Sequence, residues 1–433
     1  MTGDNSAGAS APITGRWFIV AQLFLLYSLS FVDRFALSVL AQPVTQSLSL
    51  TDTQLGLLFG LAFGVLYALC GLPIAHFVDK ANRVLIVTVG VALWSLATVA
   101  SGFAATFWQL FLLRCGVAIG EAVLSPAAVS IIADLFERNR RTLPTSIYNS
   151  AAMIMGGGAF LVGGLTLSLV TPLAPNLGFE PWRLTLIALG IVGLILSLVF
   201  WITAREPARV DEGGTSKDYS TAAQAVAYLG SEGRLFAFLF VATAGFGIAV
   251  QSVFAWTPTL LVRAFGETPA IAAYLYGTAS LIGGVTGAVI WPTLSALWTR
   301  KGRQDAIIIL FGLGAVFCGI SIVLMGVAPT VPLLVGSVFC MGFFGSATAL
   351  LMPLIIQNIA PARLRGRLMA AYLMAATLVG LAVGPSLTAF ISEHWFDGAR
   401  AIGSAIAVVG GLMTPIMLMG LLLARRRYID ARA

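Results

Sequence analysis

Charged residues are scarce in this sequence. Asp, Glu, Lys and Arg make up 10% of the 433 residues, whereas ordinary soluble domains carry roughly 25%. Hydrophobic residues make up 58%, and the mean hydropathy is +0.94. A soluble fold of this length cannot bury that much apolar surface. The composition therefore excludes a water-soluble globular protein and predicts a chain whose solvent is mainly lipid.

Cysteine and histidine are rare as well. The four cysteines lie in apolar stretches and lack the spacing of a disulfide framework or a metal site. The two histidines, His76 and His394, lie near the ends of apolar runs, so no imidazole is available at mid-membrane depth. We therefore expect no metal, no cofactor and no catalytic residues, because an enzyme would need a nucleophile and a base that converge.

Twelve apolar runs are long enough to cross a bilayer, whose core of about 30 Å requires about 20 helical residues. They lie at residues 17–40, 55–78, 84–104, 107–134, 142–170, 182–203, 235–263, 270–299, 306–328, 331–358, 367–393 and 399–424. We refer to them as spans one to twelve, and they predict an all-α membrane protein. The first run lacks a following cleavage site, which indicates a retained helix.

The polar stretch between spans six and seven predicts how the chain is divided. Residues 1–204 form an N-terminal six-helix bundle, residues 205–233 a linker with a short surface helix, and residues 234–433 a C-terminal six-helix bundle. A weak repeat supports this division. Residues 75–83, AHFVDKANR, and residues 295–303, SALWTRKGR, share one pattern at an offset of 220 positions (295 − 75). Repeated halves are typical of alternating-access transporters.

Basic residues are concentrated on one predicted face. Most of the 25 Lys and Arg lie at the termini and in the loops that follow even-numbered spans. By the positive-inside rule, both termini are cytoplasmic. The net charge of +7 is therefore a topology signal and does not indicate nucleic acid. We expect a monomeric protein of the plasma membrane whose partners are its substrate and the membrane lipids.

The loop at residues 75–83 resembles the cytoplasmic signature of the major facilitator superfamily, Gly-x-x-x-Asp-Arg-x-Gly-Arg. Ala75, Lys80 and Asn82 depart from that signature. The resemblance extends over essentially the full chain and implies two pseudo-symmetric bundles of six helices. It also implies a gate at the cytoplasmic side, formed by Asp79, Arg83, Asp134 and Arg138.

A narrower resemblance is to the spinster family within that superfamily. Span one carries FVDRF at residues 31–35, and span four carries RCGVAIGEA at residues 114–122, followed by IADLF at residues 132–136. These runs are similar to the family's Met-Asp-Arg-Phe and Arg-Gly-x-x-Gly-x-Gly-Glu-Ala motifs, with small residues replacing two glycines at Cys115 and Ala118. Spinster proteins are proton-linked carriers associated with lysophospholipids and sphingoid phosphates. The resemblance therefore implies an amphipathic, often phosphorylated, substrate.

Four ionisable residues lie inside the predicted spans and away from the helix ends: Asp33, Arg34, Arg114 and Glu121. An unpaired charge at a helix centre costs at least about 2.5–3.5 kcal/mol on insertion scales, so we expect mutual pairing. Arg114 and Glu121 are seven residues apart and share one face of span four. Asp33 and Arg34 are about 100° apart on the helix, so only one of them can face the cavity.

We interpret Asp33 and Glu121 as proton-coupling residues, and Arg34 and Arg114 as substrate-binding residues. An ion pair at about 4 Å with an effective dielectric of about 20 is worth ~4 kcal/mol. Making or breaking one arginine contact is thus enough to change the protonation of a buried carboxyl near neutral pH. The alternative is a static ion pair that only fixes helix packing.

Tyr148, Asn149, Gln251 and Tyr372 are further candidates to bind substrate, although each can equally satisfy a helix–helix contact. The sequence as a whole predicts a proton-coupled secondary transporter of an amphipathic anion. A proton symporter of small organic anions, such as sugar acids or aromatic acids, is the alternative. A membrane hydrolase, a channel and a transporter-like sensor are less favoured.

Overall fold

The computed structural model describes residues 13–78, 80–209, 233–303, 305–359 and 365–430. Within these ranges the chain is α-helical, with short turns and no β-strand. The helices are α1 Ile13–Val39, α2 Ala41–Leu48, α3 Asp52–Phe59, α4 Leu61–Val78, α5 Arg83–Ser101, α6 Phe107–Glu121, α7 Leu124–Leu135, α8 Thr142–Val170, α9 Ala174–Leu177, α10 Pro181–Thr203, α11 Gly233–Phe265, α12 Pro269–Arg300, α13 Ala306–Val327, α14 Val331–Ile359, α15 Arg365–Trp395 and α16 Ala401–Asp430.

Eleven helical stretches of the described residues are long and apolar enough to cross a membrane. They coincide with predicted spans one to ten and twelve, and α15 occupies the position of span eleven. Span two consists of α3 and α4, and span four consists of α6 and α7. The predicted all-helical membrane fold is confirmed, whereas the predicted surface helix in the linker lies outside the described residues.

The ends of the spans define two faces of the molecule. The basic face contains the start of α5, the turn at Arg138–Arg140 and the end of α12. The opposite face contains the turns at residues 49–51, 102–106 and 266–268. Helices α3, α6 and α12 begin at the opposite face, and each carries a threonine cap. Thr51, for example, forms a capping box with Gln54 at the start of α3, which satisfies otherwise unpaired backbone donors.

Helix packing joins the two halves of the chain, which we call the N-half (residues 13–209) and the C-half (residues 233–430). Within the N-half, α1 packs on α8 and α5 on α10, and within the C-half α11 packs on α16 and α12 on α14. The most extensive contacts between the halves are those of α8 with α12, of α3 and α4 with α15, and of α1 with α11. Spans one, two and five of the N-half therefore face the C-half.

The halves approach most closely at glycines. A Cβ placed on Gly157 of α8 would lie 2.5 Å from the Gly277 carbonyl oxygen of α12, and one on Gly60 would lie 2.6 Å from the Leu381 carbonyl oxygen of α15. Gly71 lies on the same chain segment nearer the basic face, and a Cβ there would meet nothing within 4 Å. The contact between span two and α15 therefore tightens toward the opposite face.

Polar contacts also close the opposite face. Arg263, at the end of α11, donates through Nη1 to Asp52 at 2.8 Å and through Nε to the Gln42 side chain at 2.8 Å. The Thr53 backbone N–H donates to Glu393 at 2.8 Å. We call these five residues the opposite-face clasp. Because the clasp joins N-half and C-half residues, the structure represents a conformation closed at the opposite face.

An arginine clamp occurs once in each half. Arg183, at the start of α10, donates to the carbonyl oxygens of Gly102 and Ala104 at 3.2 and 2.7 Å. Arg400, at the start of α16, donates to the Ala328 carbonyl oxygen at 2.7 Å. Each clamp thus ties the last span of its half to the end of the third, as expected of a pseudo-repeat.

Candidate functional site

The centre of the candidate site is an ion pair between spans one and four. Arg34 Nη2 donates to Glu121 Oε2 at 2.8 Å, and the two side chains are 12% and 1% exposed. Arg34 lies in the last two turns of α1, and Glu121 is the last residue of α6, where span four is interrupted. Arg34 is therefore the member of the pair that a solute can reach.

Three aromatic rings surround the Arg34 guanidinium. Its Cζ lies 5.0 Å from the ring centre of Phe31, 4.7 Å from that of Phe63 and 5.4 Å from that of Tyr67. At these distances the ring faces attract a cation. We call Phe31, Phe63 and Tyr67 the aromatic cage. The cage offers apolar walls directly beside a positive charge, an arrangement suited to an anion attached to an apolar group.

Arg114 has no ion-pair partner among the residues that the structure describes. Its Nη1 and Nη2 donate to the backbone carbonyl oxygens of Asp33 and Arg34 at 3.1 and 3.3 Å. Arg114 therefore holds span four against span one at the two residues that carry charge.

Asp33 is buried without a hydrogen bond. The residue is 1% exposed, and neither of its carboxyl oxygens has a hydrogen-bond partner among the described residues. The Trp94 indole lies beside the carboxyl, and the Trp94 Nε1 also lacks a partner there. Burying an ionised carboxylate without hydrogen bonds costs several kcal/mol or more. The surroundings of Asp33 therefore suit a neutral carboxylic acid.

The other predicted site residues occupy three different environments. Tyr148 is buried in the N-half, where it stacks on Tyr27 of α1 with ring centres 4.7 Å apart. Asn149 is exposed and Gln251 half-buried. Tyr372 is buried in a hydrophobic cluster of the C-half. The structure thus brings Tyr148 against α1, the helix that carries Asp33 and Arg34, and the substrate roles of all four residues stay predictions.

The predicted gate residues lie at the basic face. Arg83 is buried and ion-pairs with Asp134 of α7 and with Glu206, the latter at 2.7 Å. Glu206 also accepts from the backbone N–H of Val84 at 2.9 Å. Arg138 is exposed on the adjacent turn, and Asp79 lies outside the described residues. Arg83 therefore joins the start of α5, the end of α7 and the segment after α10.

Several functional side chains were not predicted from the sequence. The spacing of the aromatic residues partly indicated the cage, because Phe31 lies one turn before Arg34 and Phe63 lies one turn before Tyr67. The sequence did not indicate Trp94, since nothing in span three marks it as a neighbour of Asp33. Glu206 stood in a stretch that the sequence assigned to a linker, and its pairing with Arg83 depends on how the chain leaves α10.

A bundle of membrane helices in two related halves, closed at one face, with buried charges beside the interface, defines a secondary carrier. The chain belongs to the Major Facilitator Superfamily, whose family model matches residues 23–378.

Similar proteins refine that assignment. An MFS-type efflux pump of Mycolicibacterium smegmatis is 28% identical, covering 95% of this chain and 93% of that protein. The D-galactonate transporter of Escherichia coli is 26% identical, over 96% and 98%. Protein spinster homolog 3 of Danio rerio is 28% identical, over 72% and 64%.

Among solved structures, a bacterial homolog of the human lysosomal transporter Spinster, in an inward-facing and unoccupied conformation, superposes with a TM-score of 0.82. It is 26% identical and covers 98% of both chains. The predicted resemblance to the spinster family is therefore confirmed, and with it the fold of two six-helix bundles.

Proposed function

We propose that the protein is a proton-coupled secondary transporter that works by alternating access and moves an amphipathic anion, such as a lysophospholipid or a sphingoid phosphate. The observation that carries the proposal is the Arg34–Glu121 pair, which lies in an aromatic cage beside the unpaired carboxyl of Asp33. The substrate class follows from the spinster resemblance together with the apolar walls of that cage.

Arg34 is the proposed anchor for the substrate head group. Its side chain is partly accessible, and its Nε has no hydrogen-bond partner among the described residues. A guanidinium binds a phosphate or carboxylate through two parallel hydrogen bonds. A bound anion would therefore displace Glu121 from Arg34, while the rings of the cage would contact the adjoining apolar part of the substrate.

Displacement of Glu121 is the proposed link between substrate and proton. Glu121 is 2% exposed, so once it loses Arg34 its charge is buried with one neutralising contact fewer. A buried charge that loses its partner is strongly disfavoured, and proton uptake removes it. Anion and proton are thus expected to bind together. Asp33, already in surroundings that suit the neutral acid, is the second proposed proton-carrying group.

The remaining roles follow from position. The Arg83, Asp134 and Glu206 cluster is proposed as the gate at the basic face, with Asp79 and Arg138 as its further members. The distribution of basic residues supports a cytoplasmic basic face in the plasma membrane, with both termini inside. We further propose a monomeric carrier with the proton as its coupling ion.

A small organic anion is the second candidate substrate. The observation that favours it is the similarity to the D-galactonate transporter of Escherichia coli, which extends over nearly the whole of both chains. A sugar acid would use the same anchor, because its carboxylate also binds a guanidinium bidentately. Its hydroxyl groups would need polar partners, and Asn149 and Gln251 are proposed for that role.

Uptake into proteoliposomes tests the proposal. We expect an imposed pH gradient to drive uptake of a labelled lysophospholipid, and Arg34→Gln to abolish that uptake. Arg303→Gln is the matched control, because Arg303 is an exposed arginine of the basic face. Uptake of D-galactonate with no uptake of the lysophospholipid would select the second candidate. Unchanged lysophospholipid uptake by Arg34→Gln would contradict the assignment of Arg34.

A further inference from the structure

A groove opens on the basic face of the N-half, away from the buried charges. Its volume is about 320 Å³, and it lies between the start of α1 and the turn after α7. Six residues line it: Arg16, Trp17, Phe136, Glu137, Arg140 and Leu143. Because a water molecule occupies roughly 30 Å³ in the liquid, the groove has room for about ten waters, or for a glycerophosphate group with the first methylenes of an acyl chain.

The groove combines apolar walls with a charged rim. Trp17 and Phe136 meet edge to face with ring centres 5.2 Å apart, and Leu143 is 60% exposed beside them. The rim holds the guanidinium groups of Arg16 and Arg140 and one carboxylate, that of Glu137. The cations exceed the anion by one charge, and Arg138 and Arg141 adjoin the same turn. The groove is therefore complementary to a negative group joined to an apolar chain.

We propose that this groove binds an anionic phospholipid of the surrounding leaflet, with its phosphate at Arg16 and Arg140 and its acyl chain along Trp17, Phe136 and Leu143. The location favours a lipid over a soluble anion, because the groove lies where α1 and α8 enter the apolar layer. Basic pockets beside membrane helices on the positively charged side are known to suit anionic head groups. Glu137 disfavours a second negative charge, so a head group with one charge, such as phosphatidylglycerol, fits best.

Lipid in this groove would stabilise the contact between spans one and four, which carry all four buried charges. Phe136 follows α7 two residues after Asp134, the ion-pair partner of Arg83. Arg141 Nε donates to the Phe136 carbonyl oxygen at 2.9 Å and thereby fixes the turn that forms one wall. Binding of the lipid does not depend on the proposed transport activity. Only an effect of the lipid on transport rate would rest on the proposed function.

Lipid binding to the purified full-length protein tests the proposal, with native mass spectrometry and thermal unfolding as the readouts. We expect phosphatidylglycerol to be retained and to raise the unfolding temperature, and phosphatidylcholine to do neither. The double variant Arg16→Gln/Arg140→Gln should lose more than about 10-fold in phosphatidylglycerol affinity, because the loss of one charge-assisted hydrogen bond already accounts for about 10-fold and two arginines are removed. The unfolding temperature of this variant in phosphatidylcholine is the baseline against which its stabilisation by phosphatidylglycerol is measured. Leu143→Gln should weaken lipid binding while leaving both arginines in place.

The matched control is Arg300→Gln/Arg303→Gln, which removes two exposed arginines from the basic face of the C-half. An equal loss of affinity in that control would overturn the proposal in favour of general attraction to the positive surface. Retention of phosphatidylethanolamine as strongly as phosphatidylglycerol would contradict the anionic assignment. Equal stabilisation by glycerol phosphate alone would contradict the lipid assignment, because the acyl chain would then contribute nothing.

Discussion

The N-half and the C-half share a scaffold and differ in what it carries. The Arg183 and Arg400 clamps join equivalent spans in the same way. The spans of the N-half bury Asp33, Arg34, Arg114 and Glu121, whereas the predicted spans of the C-half contain no ionisable residue away from their ends. The helix packing is therefore repeated in both halves, whereas the buried charged residues occur in the N-half.

The same difference appears at the basic face. Arg83 and Arg303 occupy equivalent positions of the repeat at an offset of 220 (303 − 83). The Arg83 side chain is 2% exposed and has two carboxylate partners. Arg303 is 54% exposed, and its Nε lies 3.7 Å from Asp305. An exposed pair at that distance contributes little. The proposed gate is thus built from the N-half copy of the repeated loop.

The largest expected effect is the loss of proton coupling in Glu121→Gln. The amide keeps the shape of the side chain but cannot take up a proton, so a pH gradient should no longer drive accumulation. A charge-assisted hydrogen bond is worth about 1.5–3 kcal/mol, so initial uptake rates should fall roughly 10- to 100-fold. Gradient-driven uptake in proteoliposomes measures this effect, and accumulation at the wild-type level would exclude Glu121 as the coupling group.

A smaller effect is expected where the halves touch. Gly157→Ala would place a methyl group against the backbone of α12, whereas Gly156→Ala is a matched control because a Cβ there meets nothing within 4 Å. Overpacking costs about 1–3 kcal/mol, so Gly157→Ala should destabilise the conformation closed at the opposite face. Thermal unfolding measures the cost. Equal unfolding temperatures for the two variants would show that the close contact between α8 and α12 at Gly157 does not hold the halves together.

The opposite-face clasp should contribute less than the glycine contact. Its Arg263–Asp52 pair is 21% and 15% exposed, and partly exposed pairs are worth up to about 1 kcal/mol. We expect Asp52→Asn to open the opposite face more often. Spin labels at Gln46 and Asp397, in a variant without the native cysteines, would report this as a larger population of long distances. An unchanged distance distribution would show that the clasp does not help to keep the opposite face closed.

Equivalent substitutions in the two arginine clamps test the shared scaffold. Arg183→Gln and Arg400→Gln should each lower the free energy of unfolding by about 1 kcal/mol, because each removes charge-assisted hydrogen bonds from partly exposed positions. Thermal unfolding of both variants measures the comparison. A loss in one half without a similar loss in the other would show that the clamps are not equivalent.

The smallest effect concerns pH and the clamp of the N-half. Partial burial raises the pKa of Glu180, but hydrogen bonds from Ser47, Arg183 and Trp182 outweigh it and hold the pKa below its ordinary value. Because the folded pKa is the lower one, Glu180 contributes stability above the unfolded pKa near 4.3 and loses it as pH falls through the folded value. Glu180→Gln should therefore lower the unfolding temperature slightly at pH 7. The difference should vanish in acid, and a difference that persists there would contradict this origin.

Much of the fold was predictable, because the bilayer sets the length of a membrane-spanning helix and disfavours charged residues within it. The interruption of span two at Gly60 was not, because it depends on the close approach of α15. The charges themselves were also predictable, but their pairing was not. Spacing placed Arg114 and Glu121 on one face of span four, yet Glu121 pairs with Arg34 and Arg114 binds backbone carbonyls. That choice depends on the rotation and separation of spans one and four, which no local pattern encodes.

Proton uptake on substrate binding tests the central claim most directly. A lysophospholipid is added to the purified protein in weakly buffered solution that contains a pH indicator, with wild type and Glu121→Gln compared. If the substrate anion takes Arg34 from Glu121, the wild type should bind protons as it binds substrate, and Glu121→Gln should bind substrate with markedly less proton uptake. Equal proton uptake by the two proteins, or none by the wild type despite binding, would contradict the proposed exchange at Arg34.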